Sequence, residues 1–196
     1  MARQERAERT RRAVLDAAAR EFARYGFAGT SLTRVSGAAD VTMGALTFHF
    51  ATKAELADAV HASGVRLTRR ALVPHAGAQD MDDVARFTRT LVRLLEQEVA
   101  VRAAARLAWD RPGADGGWYE AWLALLHDRP RHPDGTLSGR GAPQAVVSLA
   151  LCVVAGAETL LRLGGPPGGA PEPSPARHAD LVWDLVAGPA PASRQG

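Results

Sequence analysis

A single cysteine, Cys152, stands among the 196 residues. That excludes an intramolecular disulfide and suits a reducing compartment. Lying in an apolar run, Cys152 reads as an inert core thiol. The N-terminus, Met1-Ala-Arg-Gln-Glu-Arg6, is charged from the start and lacks the apolar region of a signal peptide. The longest uncharged apolar stretch, Ala145 to Ala157, is shorter than the roughly 20 residues a membrane span needs. Strand-like alternation and internal repeats are missing. So is any charge excess beyond residue 55, where fifteen cations meet fifteen anions. Together these absences predict an all-α, cytoplasmic protein that does not engage a membrane.

The familiar signatures of catalysis are lacking too. There is no Gly-x-Ser-x-Gly elbow, no Walker loop and no His-Glu-x-x-His pair. Gly139-Arg-Gly-Ala-Pro-Gln144 lacks the last glycine of a dinucleotide loop and follows no predicted strand. His127 and His132 sit in a charged, Pro-rich stretch and read as solvent-exposed. The expectation is a non-enzyme with no metal and no cofactor.

What is present is helical periodicity and a basic front end. The first 55 residues hold nine Lys and Arg against six Asp and Glu, which accounts for the whole net charge of +3. Residues 4–25 read as one amphipathic helix with Val14, Leu15, Ala18, Ala19 and Phe22 on one face. Arg3, Arg6, Arg9, Arg11 and Arg12 crowd its start, against the helix dipole, which calls for an anionic partner. Gly26 is a natural left-handed stop. Ser31 then caps a short helix with Leu32, Val35 and Ala39 inward, and Thr42 caps another with Leu46 and Phe50 inward. Two short helices joined tightly at Asp40 make a helix-turn-helix over about residues 31–50, whose second helix would enter a DNA major groove.

Further on, Lys53 opens a helix that runs to about Leu72 and ends at Pro74. Helices are expected over 81–98, capped by Asp80 or Asp82, and over 99–109, 118–126, 144–163 and 176–186. Gly- and Pro-rich loops fall at 111–117, 127–143 and 164–175. The domains expected are a helix-turn-helix domain over 1–52, a helical body over 53–188 and a mobile tail over 189–196. Residues 144–163 are hydrophobic on nearly all sides, as in a buried bundle helix or a subunit interface. Trp109, Trp118 and Trp122 crowd around a Gly-rich loop, where they serve either as core or as the lining of an apolar pocket.

Over Ala2 to Val60, the basic first helix, the run Thr42-x-Gly-Ala-Leu-x-Phe-His-Phe50 and the following Lys53 resemble the TetR family of transcriptional regulators. Met1-Ala-Arg-Gln and Gly44-Ala-Leu-Thr-Phe-His-Phe50 look like its γ-butyrolactone autoregulator receptors. Those proteins control antibiotic production and differentiation, releasing DNA when a butyrolactone binds. The resemblance implies a homodimer joined through about 142–163 and 176–187, on double-stranded DNA with a pseudo-palindromic operator. It implies DNA contacts from Ser31, Thr33, Arg34, Thr42, Met43, Gly44, Thr47, Phe48, His49 and Lys53.

For a small apolar ligand of the γ-butyrolactone class, it implies Trp122 and Tyr119, which match an aromatic-x-x-Trp pattern; Trp109 and Trp118 join them by proximity. Four departures stand out. Met43 replaces the usual Lys, Thr47 the usual Tyr and Asp40 a turn Gly, and Glu158 stands where an amide is usual. Two other readings fit the same residues: a pseudo-receptor answering to antibiotics or intermediates, and a helical small-molecule-binding or scaffold dimer whose DNA reading has weakened.

Overall fold

The computed structural model describes residues 2–78, 80–111, 117–128, 144–163 and 173–187. The expected tail over 189–196 lies outside them, as do His132 and most of the three Gly- and Pro-rich loops. Nine α-helices and a 3-10 turn over Val73–His75 are seen among the described residues, and no strand. They are α1 (Ala2–Gly29), α2 (Leu32–Ala38), α3 (Met43–His49), α4 (Lys53–Leu72), α5 (Met81–Gln97), α6 (Val99–Asp110), α7 (Trp118–His127), α8 (Gln144–Leu163) and α9 (Pro175–Ala187). The all-α expectation holds. By internal contacts the chain forms two compact units, Met1–Thr68 with Glu98–Ala121, and Arg69–Gln97 with Trp122–Gly196. The unit bearing the helix-turn-helix thus reaches beyond residue 52 and includes α6.

In the first unit, Val14, Ala18 and Phe22 of α1 are buried with Val35 of α2, Leu46 of α3, Leu56 and Val60 of α4, and Ala103 and Leu107 of α6. Gly26 takes φ +69°, and the chain regains helical turns to Gly29 past that kink. An added Cβ at Gly26 would strike the Asp110 carboxylate, so both conformation and space demand glycine there. Gly64 of α4 similarly lies against the Ala100 carbonyl and Ala104 of α6, an approach that only a missing side chain permits.

In the second unit α5 packs on both α8 and α9. Phe87, Leu91 and Leu95 of α5, Val147, Ala150 and Val154 of α8, and Trp183 of α9 are buried. Asp80 Oδ1 accepts from the Asp83 amide at 2.9 Å and so is the cap of α5. Arg89 bridges α5 to α9, donating to Asp180 at 3.1 Å and Asp184 at 2.7 Å.

One expectation fails here. Cys152 is exposed, not a core thiol. Its helix is apolar all round, so only packing decides which face turns inward, and that face is Val147, Ala150, Val154 and Ala157. The helix itself spans Gln144–Leu163 as expected, beyond the uncharged run of 145–157. By length and composition, Gln144–Leu163 is apolar enough to cross a membrane, yet 28% of its apolar window is buried within the fold. Glu158, near its end, is buried and paired with Arg162.

Candidate DNA-binding face and aromatic cluster

The helix-turn-helix is built by its own hydroxyls. Ser31 Oγ accepts from the Arg34 amide at 3.2 Å, and Thr42 Oγ1 from the Ala45 amide at 3.1 Å. Each satisfies one of the donors that a helix start leaves open. Between the two helices Asp40 adopts φ +53°, the left-handed conformation that Asp tolerates better than most side chains. Leu46 and Phe50 are 0% and 3% exposed, which fixes the rotation of α3.

With that face inward, Met43, Gly44, Thr47 and Phe48 all point to water. Phe48 is 81% exposed, with the His49 ring edge-on at 5.1 Å. Thr47 is exposed too, but its Oγ1 donates back along the helix to the Met43 and Gly44 carbonyls (3.0 and 3.3 Å). Thr33 is exposed, and His49 is half-buried.

Two cations expected at the DNA face are engaged elsewhere. Arg34 pairs with Glu21 at 3.0 Å, its guanidinium 3.9 Å from the centre of the Tyr25 ring. Lys53, the only lysine of the sequence, donates to the carbonyls of Phe27 at 2.9 Å and Thr30 at 3.0 Å. It closes the chain between α1 and α2. Arg11 of α1 lies over the Phe50 ring at 5.3 Å, while Arg6, Arg9 and Arg12 are exposed.

Sequence reasoning missed the joint itself. The Phe27 amide donates to Asp110 Oδ2 at 2.7 Å, a bond spanning 83 residues from α6 to the residue after Gly26. The Phe27 ring stacks on Phe22, with Lys53 and Arg111 at 4.3 and 4.9 Å from its centre. Arg111 in turn donates to Asp58 of α4 at 2.5 Å. One signal was available: Asp110 ends α6, where a carboxylate opposes the helix dipole and needs a donor from outside. His61 of α4 is half-buried near this pair. Burial lowers its imidazole below the ordinary value, with Asp58 opposing the shift and Arg111 adding to it.

The four aromatic candidates do not behave alike. Trp118 is buried and donates to Thr68 Oγ1 at 2.8 Å. Tyr119 is edge-on to Trp118 at 5.0 Å, and its hydroxyl accepts from Trp109 Nε1 at 3.1 Å. Trp109 itself is 57% exposed. These three belong to the first unit. Trp122, in the second, is fully buried, 6.4 Å from Phe87. A cavity of about 100 Å³ is lined by Pro74, His75, Ala76, Gly77, Ala78, Asp83 and Arg86. It includes none of the four and is smaller than the roughly 300 Å³ of an ordinary ligand pocket. Among the described residues no cluster of His, Cys, Asp or Glu could hold a metal ion.

The profile of the bacterial regulatory proteins of the tetR family matches residues 14–60, the stretch whose core and caps are described above. Residues 14–60 thus carry the N-terminal domain of that family. That family is one of regulatory proteins. The chain is 45% identical over 60 residues to the A-factor receptor protein of Streptomyces griseus. That alignment spans 31% of the chain and 22% of the receptor, so about a fifth of the relative's length is matched.

Solved structures extend the likeness over nearly the whole chain. A γ-butyrolactone receptor (ArpA-like protein) is 27% identical, with 96% of this chain and 92% of that one covered at a TM-score of 0.58. CprB of Streptomyces coelicolor, in complex with its biological operator sequence, is 28% identical over 97% and 92% of the two chains, with a TM-score of 0.64.

Proposed function

We propose that this chain is a dimeric DNA-binding transcriptional regulator, a repressor released from a pseudo-palindromic operator by a small apolar ligand of the γ-butyrolactone class. It would work in the cytoplasm and control secondary metabolism or antibiotic production. The observation that carries the DNA-binding part is α3. Its packing residues are buried, its hydroxyl cap Thr42 is made, and its opposite face is left to water. Likeness to an operator-bound relative and to butyrolactone receptors supports the rest.

In the dimer, two copies of α3 would lie one DNA turn apart, about 34–36 Å. The exposed apolar residues of α8 and α9 (Leu151, Leu163, Leu181, Leu185 and Val186) support pairing of two copies there. Of the aromatic candidates, Trp122 is the one in the second unit, where it is buried beside Phe87, and we assign it to the ligand site. Release requires only that ligand bind the conformer with the wrong spacing more tightly.

Titration of operator-bound protein with a butyrolactone extract tests the ligand; DNA that stays bound throughout would sink that part. The DNA part predicts affinity whose logarithm falls steeply with log salt. A flat response would favour the scaffold reading. One observation favours a pseudo-receptor instead: Glu158, the carboxylate standing for an amide, is buried and paired within α8, which alters the chemistry of the body's core. Release by an antibiotic or intermediate, with none by butyrolactones, would establish it.

A further inference from the structure

From Val41 to Thr52 no residue carries a full charge or a carboxamide. Paired hydrogen bonds to guanine need Arg or Lys, and those to adenine need Asn or Gln. α3 has none of them. Met43, Thr47, Gly44 and Phe48 fall in that angular order within an arc of about 140°, and all four are exposed while Leu46 beside the arc is buried. The only hydroxyl in the arc, on Thr47, already donates to backbone carbonyls of its own helix. At Gly44 a Cβ would meet nothing within 4 Å, so the backbone is open to close approach. The neighbouring cations do not fill the gap, since Arg34 is held by Glu21 and Lys53 by two carbonyls. What remains outward is a thioether at 39% exposure and a phenyl ring at 81%.

We infer that α3 reads its operator through the C5-methyl groups of thymine, with Phe48 and Met43 as the specificity-determining side chains. This rests on the DNA-binding reading above and names what that face recognises. The thymine methyl is the apolar group that the major groove offers, and Phe and Thr methyl contacts are suited to it. Pressing a phenyl ring or thioether on a methyl removes apolar surface from water and leaves no hydrogen bond unmade. The bases under α3 in each half-site are accordingly T·A pairs, and the cost of a wrong base is the loss of a methyl contact rather than of a donor.

The test begins with a duplex selected by the full-length protein from a random library. Each thymine is then replaced by deoxyuridine, which differs only in lacking the methyl, and affinity is measured at fixed salt. At one or two positions per half-site, uracil should weaken binding about fourfold, and the symmetric pair about fifteenfold. Phe48→Ala should abolish the penalty at one of those positions and Phe48→Leu should keep most of it; Phe48 is exposed, and circular dichroism should be unchanged in both variants. Uracil at every thymine without effect, or the same penalties in Phe48→Ala, overturns the methyl reading while DNA binding stands. Selection that yields no preferred duplex overturns DNA reading itself.

Discussion

Two parts of this protein show water an apolar face, and they do so in different company. On α3 the face is narrow, Met43 and Phe48 around an open Gly44, and it lies within the 55 residues that hold all the excess positive charge. On α8 and α9 it is broad, five large aliphatic residues in the charge-balanced remainder of the chain. A small apolar surface among cations suits a polyanion that carries methyl groups. A wide neutral one suits another protein surface of the same kind.

Breaking the broad face should have the largest effect. Leu151→Glu with Leu181→Glu is expected to weaken self-association by about a thousandfold or more, since each copy loses two buried leucines. Sedimentation should then show monomers with unchanged helicity, and operator affinity should fall with them. Dimers of wild-type strength would mean that some other surface pairs the subunits. Next comes the frame behind the narrow face: Leu46→Ala should cost about 2–5 kcal/mol in urea unfolding, because the ring of neighbours cannot fully collapse.

Gly26→Ala should cost about 1–3 kcal/mol for its backbone alone, because φ +69° with ψ −176° is a conformation essentially reserved for glycine. Displacing Asp110 would add to that, and Asp110→Ala combined with it should recover part of the loss. Thr47→Tyr sharpens the narrow face. A phenol reaching the phosphates should tighten operator binding about fivefold per half-site, the worth of one hydrogen bond; unchanged or weaker binding would place this side chain away from the backbone.

The smallest effect concerns His61. Its folded pKa is lowered by burial, so the unfolded chain binds more protons. Stability is therefore full above about pH 6.5 and declines as pH falls from there to the lowered value. His61→Gln should flatten that slope in melts taken between about pH 5 and 7.5.

Much of the narrow face was legible, because its determinants are local. Ser31, Thr42 and Gly26 act on neighbours in sequence, and the spacing of Leu46 and Phe50 sets which side of α3 is free. What escaped depends on distant partners. Spacing placed Lys53 at the start of α4, but its acceptors lie 26 and 23 residues back, and a long flexible side chain turns to whatever carbonyl is unsatisfied. Arg34 was diverted in the same way by Glu21 and Tyr25. In α8, uniform apolarity erased the periodic signal, so nothing in its sequence told Cys152 from Val154. The attachment of α6 to the first unit rests on contacts such as Asp110 with Phe27, 83 residues apart, that no local pattern announces.

Phe27 sets a limit on protein engineering. Its amide is held from α6 and its carbonyl from α4. A chimera joined at residue 52 would keep the reading helix but discard both clasps, and the recipient would need an acid and an amine at matching places. A transplant carrying residues 2–68 together with 98–111 would bring its own. By contrast, Met43, Gly44, Thr47 and Phe48 bear little of the fold, so operator choice can be rewritten at those four positions without rebuilding the scaffold.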